Sequence, residues 1–221
     1  MSQDDDEFKR AVSVTGGIVG NGSYPLEISP AAPIDVQAAI KTVAQDLQEV
    51  IETTNGLPGN CFPASCFVSY ALFKHKIKHV MTIGDVELVD GMYCNLTREG
   101  LAAQISAGYE TEIIDGKLYG KRLSSHAWIT LENGVVIDAT ILASQYRKKA
   151  EQGPPLSFEN AIYFSGKAGT QVVRHRPFLV GGLYHERVLL HPNDSMYNFY
   201  VNWFDYYDRH MAGLDELRRR V

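Results

Sequence analysis

Cys61 stands in the string Gly59-Asn60-Cys61-Phe62-Pro63, directly ahead of a run of apolar residues. Proline is tolerated only in the first turn of a helix, so Pro63 marks a helix start and puts Cys61 at its N-terminus. Orphan amide N–H groups and the positive end of the helix dipole gather at such a position. They favour a thiolate over a thiol, and they can hold the oxyanion that forms when a sulfur attacks a carbonyl. The chemistry is that of an acyl-accepting nucleophile. The plain alternative is a small buried hydrophobe. Cys66 lies five residues on, roughly 140° around the helix, so both sulfurs cannot face one base. With Phe67, Val68 and Ala71 about it, Cys66 reads as core. Cys94 has no base near it in sequence and reads as a spectator.

A thiolate nucleophile needs a base, and the base needs an acceptor to orient it. His126 opens a run of strand formers, His126-Ala127-Trp128-Ile129-Thr130-Leu131, and Asp138 closes the run that follows Asn133-Gly134. The Asn-Gly pair is a hairpin signal, so the two runs face each other. His126 lies seven residues before Asn133 and Asp138 four after Gly134. The two are therefore displaced along the ladder, within diagonal side-chain reach. A bulge would shift that register by one.

The elements that must position these groups follow from periodicity. Val36, Ile40, Val43, Leu47, Val50 and Ile51 recur at helical spacing, with Asp35 as N-cap and Asn55-Gly56 as stop. The helix opened by Cys61 is apolar nearly all round, the mark of a buried central helix. Residues 80–89 read as a strand, and 97–108 as a short helix between Thr97 and Gly108. Asp115-Gly116 turns one hairpin, and 172–180 with 183–190 read as another strand pair turning at Gly181-Gly182. The last segment, 193–220, is an aromatic-rich helix carrying Tyr197, Tyr200, Trp203, Phe204 and Tyr207. That stripe suits a core face or the contact surface of a homodimer. Residues 1–30, with Gly16, Gly17, Gly20, Gly22 and Pro25 and no sustained period, read as a loosely ordered arm with a short strand near Gly17. Helices first and an antiparallel sheet after them make the class α+β.

Composition narrows the setting. The 221 residues suit one domain, 31–221, after the arm. A net charge of −5 argues against nucleic acid, whose binders carry a basic face. The basic trio Arg218–Arg220 reads as charge at a helix C-terminus. Three cysteines outside any paired spacing imply free thiols, and with no signal-like leader and no apolar run near ~18 residues the expectation is cytoplasmic, without membrane contact. Export by a signal-less route would look the same. His75 and His79 are four apart and could share a metal, but no third ligand joins them. No metal or cofactor is expected. His175, His185, His191 and His210 belong to no constellation in the sequence.

Gly59-Asn60-Cys61 opening a central helix, His126-Ala127-Trp128 opening a strand and Asp138-Ala139-Thr140 on the next resemble the transglutaminase-like superfamily of papain-type enzymes. The likeness spans about residues 55–141. It implies a central helix packed on an antiparallel sheet and a triad of Cys61, His126 and Asp138. It also implies a side-chain amide or aromatic near the oxyanion and substrate, for which Asn60, Asn55 and Trp128 are the candidates. Residues 90–122 exceed the plain family connection and read as an insertion able to border the cleft. The implied activity is cysteine-dependent attack on an amide bond of a peptide or protein, as peptidase, amidase or deamidase, or by transfer to an amine. An acyltransferase using an acyl-CoA-type thioester and a non-enzymatic scaffold with a residual triad are the rivals. Fold likeness does not choose among them.

Overall fold

A computed structural model describes residues 3–19, 28–148, 154–192 and 194–219. Its first element departs from the sequence reading, since the supposed arm forms a helix, α1 (Gln3–Val19), with no strand near Gly17. Docking explains this. Phe8 and Ala11 bury against Val80 and Val180. Thr15 Oγ1 donates to Ala11 O at 2.9 Å and accepts from Val180 N at 3.0 Å. Tertiary contact of this kind overrides the weak helix propensity of Gly16-Gly17. Residues 20–27 of the arm lie outside the described residues.

Helix α2 (Val36–Val50) is capped by Asp35, which accepts from Ala38 N at 3.0 Å, and buries Ala39, Ile40, Val43, Ala44 and Leu47. It ends at Ile51, a few residues short of Asn55-Gly56, which instead form a 3₁₀ turn. Helix α3 (Cys61–Lys74) is buried along most of its length, as an element apolar on every face must be. It packs against α2 and the sheet.

The sheet is antiparallel and curled. Its centre is β1 (His79–Leu88), which pairs at its far end with β2 (Gly91–Met92). Then come helix α4 (Arg98–Ala107), capped by Thr97 and ended by Gly108, and the separate hairpin β3 (Thr111–Ile114) and β4 (Lys117–Gly120). Asp115 and Gly116 turn that hairpin with φ of 50° and 74°. Strand β5 (His126–Leu131) lies beside β1, followed by β6 (Val136–Asp138), helices α5 (Ile141–Lys148) and α6 (Phe158–Ala161), and the edge strand β7 (Tyr163–Phe164). Strand β8 (Val172–Val180) pairs with β1 on the side away from β5.

The two faces of the sheet do different work. Met81 and Ile83 of β1 with Ala127, Ile129 and Leu131 of β5 belong to the large core beneath α3. Their alternating neighbours, including His126 and Trp128, point to the other face.

Residues 183–190 are not the strand the sequence suggests. They form a helical turn, π-helical over His185–Leu189. A Cβ on Gly182 would lie 2.0 Å from the Phe204 ring, so the glycine brings the chain hard against the last helix, α7 (Tyr197–Arg219), rather than back along β8. The aromatic stripe of α7 is filled by its own chain. Tyr200, Trp203 and Tyr207 are buried, Phe199 packs on Phe67, and Tyr206 on Phe73. The buried part of the stripe is thus a core face. Arg220 lies outside the described residues. Among those residues no helix is long and apolar enough to cross a membrane.

Candidate active site

Cys61 is the first residue of α3, and the cap residue Asn60 makes no side-chain hydrogen bond to the first turn. The N–H groups of Cys61 and Phe62 therefore stay open toward whatever faces the helix end. Gly59 precedes them at φ 87°, a conformation that disfavours a side chain, and it swings the chain into the helix. Cys61 is partly exposed and lines a cavity of about 680 Å³ together with Tyr93, Cys94, Thr140 and His126.

His126 reaches this cavity because it is the first residue of β5. It faces away from α3's core, and at the strand's end it lines the same cavity as Cys61 and Phe62 at the helix N-terminus. Its neighbour on β6 follows from the register. Ile129 opposes Ile137 and Thr130 opposes Val136, so Asp138 stands opposite Trp128 and diagonal to His126. His126 Nε2 donates to Asp138 Oδ2 at 2.6 Å, and both side chains are fully buried. The other oxygen, Oδ1, accepts from Thr140 N (2.9 Å), Thr140 Oγ1 (3.2 Å) and Ile141 N (3.1 Å). These bonds hold the carboxylate in one orientation at the start of α5.

Electrostatics follow the geometry. Burial alone would lower His126, but the charge and hydrogen bond of Asp138, with the nearby Cys61 sulfur, hold it well above the ordinary histidine value. Burial alone would raise Asp138. The charge and hydrogen bond of His126, then those of His175, keep it well below the usual carboxylate range. An ionised Asp138 can only accept, so Nε2 of His126 carries hydrogen and Nδ1 is left as the exchangeable nitrogen.

His175 joins this site unannounced by the sequence. Its Nε2 donates to the same Oδ2 at 2.9 Å, its ring stacks on Tyr163 at 5.1 Å and meets the edge of Trp128 at 4.8 Å. It sits on β8, opposite Val86, and the curl of the sheet brings it to Asp138. Asp85 is a second missed residue. Its buried carboxylate accepts from the amides of Val86, Cys94 and Leu96 and so fixes the loop that puts Tyr93 against His126, ring centres 5.2 Å apart. Gly84 opposes His126, and a Cβ there would lie 2.0 Å from Arg176 O and 2.8 Å from Trp128.

The other sequence candidates fall elsewhere. Asn60 donates its side-chain amide to Gly56 O at 2.7 Å, and Asn55 sits exposed in the 3₁₀ turn. Neither lines the cavity. Trp128 is buried behind His126 and does not line it either, so its role is packing the two imidazoles rather than touching substrate. Cys66 is sealed in the core, 3.6 Å from His185 Nε2. Burial pushes its thiol up and lowers His185 to about 3, so that pair is neutral. Cys94 shares the cavity with Cys61, but burial, then Asp85 and Cys61, push its thiol up to about 12. Segment 90–122 contributes Tyr93, Cys94, Lys121 and Arg122 to the cavity lining, while α4 and the β3–β4 hairpin between them border a second space of about 510 Å³.

No family model, curated protein or solved structure matches the chain.

For metals, His126, Asp138 and His175 each offer a ligand atom, all within 4.8 Å of one another. Those atoms already hydrogen-bond one another, and an ion could enter only by breaking both bonds to Oδ2. His79 spends its nitrogens on Ser69 Oγ (2.8 Å) and Ile77 O (2.7 Å), while His75 caps α3, so the two do not form a pair.

Proposed function

We propose that the chain is a cysteine-dependent amide-bond enzyme resembling the transglutaminase-like class, with Cys61 as nucleophile, His126 as acid and base, and Asp138 as the group that orients and charges the imidazole. The observation that carries this reading is one ring between two groups: His126 is bonded at 2.6 Å to a buried carboxylate and lines the same cavity as the thiol at a helix N-terminus. A buried carboxylate that orients the imidazole also steadies the charge the ring gains when it takes a proton from the nucleophile.

In this reading the Cys61 sulfur attacks a substrate carbonyl carbon. The carbonyl oxygen takes the negative charge and points to the open N–H groups of Cys61 and Phe62. His126 gives its Nδ1 proton to the amide nitrogen, the C–N bond breaks and the amine leaves. A thioester on Cys61 remains. Water then attacks it, losing a proton to His126, and the acid departs with the thiol restored. An amine in place of water would give transfer. Hydrolysis is the simpler outcome, since water needs no second binding site. Asp138 keeps its charge throughout, as the orienting acid does in other triads.

Incubation with a peptide library, with and without a primary amine, separates cleavage, deamidation and cross-linking by product mass. The reading expects products that vanish in Cys61→Ala. Products that persist in that variant, or none from either protein, refute it.

A further inference from the structure

The cavity at Cys61 carries a charge that the chain as a whole does not. The protein has a net charge of −5, yet Lys121, Arg122, Arg147 and Lys148 all line this space. No aspartate or glutamate joins them among the described residues. Lys121 and Arg122 come from the segment between β4 and β5, and Arg147 and Lys148 from the last turn of α5. Lys121 pairs with Glu110, and the Lys148 ammonium sits 5.0 Å from the Tyr93 ring centre. Arg122 and Arg147 have no carboxylate partner among the described residues. A helix C-terminus favours cations, which accounts for Arg147 and Lys148 as ordinary surface charge. It does not account for Lys121 and Arg122, which lie on no helix, or for a wall without acids on an acidic protein.

We propose that Cys61 acts on an acidic peptide segment, whose carboxylate side chains flank the attacked carbonyl and seat on Arg122, Arg147 and Lys148. The proposal rests on the acyl chemistry argued above for Cys61. Cations spread over two separate segments match successive carboxylates along an extended chain, and a charged cleft concentrates a ligand of opposite sign. A phosphate-bearing thioester fits less well. Phosphates favour helix N-termini, whereas α5 presents its C-terminus here and the N-terminus of α3 is taken up by the nucleophile itself.

The test has a binding arm and a chemical arm. Calorimetric titration of Cys61→Ala uses acetylated peptides of one length with a central Gly flanked by Glu, Gln or Lys. The Glu peptide should bind at least about tenfold tighter than the Gln peptide and weaken as salt rises. The double variant Arg147→Glu, Lys148→Glu should invert the order, so that the Lys peptide binds more tightly than the Glu peptide. Equal binding of the three peptides, or a Glu preference that survives charge reversal, overturns the proposal. In the chemical arm, acylation of Cys61 is compared for p-nitrophenyl esters of the Glu and Gln peptides, acetyl-CoA and acetyl-pantetheine. Acetyl-CoA outpacing both acetyl-pantetheine and the Glu ester overturns the acidic peptide in favour of phosphate recognition. Glu-peptide binding without acylation by any donor keeps the acidic segment as a ligand but overturns its attack by Cys61, and with it the catalytic reading. Acylation of Cys61 without charge preference sustains the catalytic reading and overturns the acidic segment.

Discussion

Replacing Asp138 with asparagine keeps the volume and removes the charge, which makes it a sharp probe of the site. The carboxylate accepts two imidazole N–H bonds on Oδ2 and three donors on Oδ1. An amide has one oxygen. Whichever way it turns, its NH₂ faces donors, either both histidines or the Thr140 and Ile141 amides. Breaking a buried ion pair from one side costs about 3–5 kcal/mol. For a domain of this size ~1 kcal/mol moves the melting point about 2–4 °C, so Asp138→Asn should melt about 6–20 °C lower near pH 6. The pH dependence has a definite sign. Asp138 is held low in the fold, so its contribution is present above the unfolded carboxylate value of ~3.9 and fades as pH falls below it. His126 is held high, so its contribution is full below the unfolded histidine value of ~6.5 and fades as pH rises through the folded value. The gap between parent and variant should therefore be widest between about pH 4 and 6.5. Calorimetric or circular-dichroism melts from pH 3 to 8 read it directly. A variant that melts within about 2 °C of the parent at pH 6, or a gap that stays constant across that range, refutes the account of this pair.

Further expectations follow from single contacts. His175→Ala should cost about 1.5–3 kcal/mol, the worth of one hydrogen bond to a charged group, and should move the acid limb of stability to higher pH. His175→Gln, which keeps a donor, should recover part of that shift, and a loss without any pH displacement would reduce His175 to packing. Gly84→Ala drives a Cβ into Arg176 O and the Trp128 ring, so urea melts should show at least roughly 1–3 kcal/mol of destabilisation. A neutral result there would mean that β1 and β8 can part without disturbing the site.

What the sequence disclosed about this protein was local. Asp35 and Thr97 as caps, Asp115-Gly116 as a turn, and the diagonal meeting of His126 and Asp138 all depend on residues a few positions apart or on one hairpin. Helix α1 was hidden because its order comes from docking Phe8, Ala11 and Thr15 on β8, more than 160 residues away. The turn at 183–190 was hidden because Gly182 is shaped by Phe204 and not by its own neighbours. His175 was hidden for a like reason: only the curl of the sheet brings β8 to β6. Asn60, directly before Cys61, is a turn residue, its amide closing the chain onto Gly56. The cationic lining could not be read either, since Lys121-Arg122 and Arg147-Lys148 meet across a cavity that no sequence window spans.

A short iodoacetamide pulse on the native protein at pH 6, followed by peptide mapping, tests the central claim most directly, because it reads all three thiols at once. With His126 protonated beside it, Cys61 should label first. Cys66, sealed against His185, and Cys94, raised to about 12, should stay unmodified. His126→Ala should slow Cys61 labelling at pH 6 by about tenfold or more, and Asp138→Ala by less. Equal labelling of Cys61 and Cys94 at pH 6, or a Cys61 rate indifferent to His126→Ala, would contradict the catalytic reading.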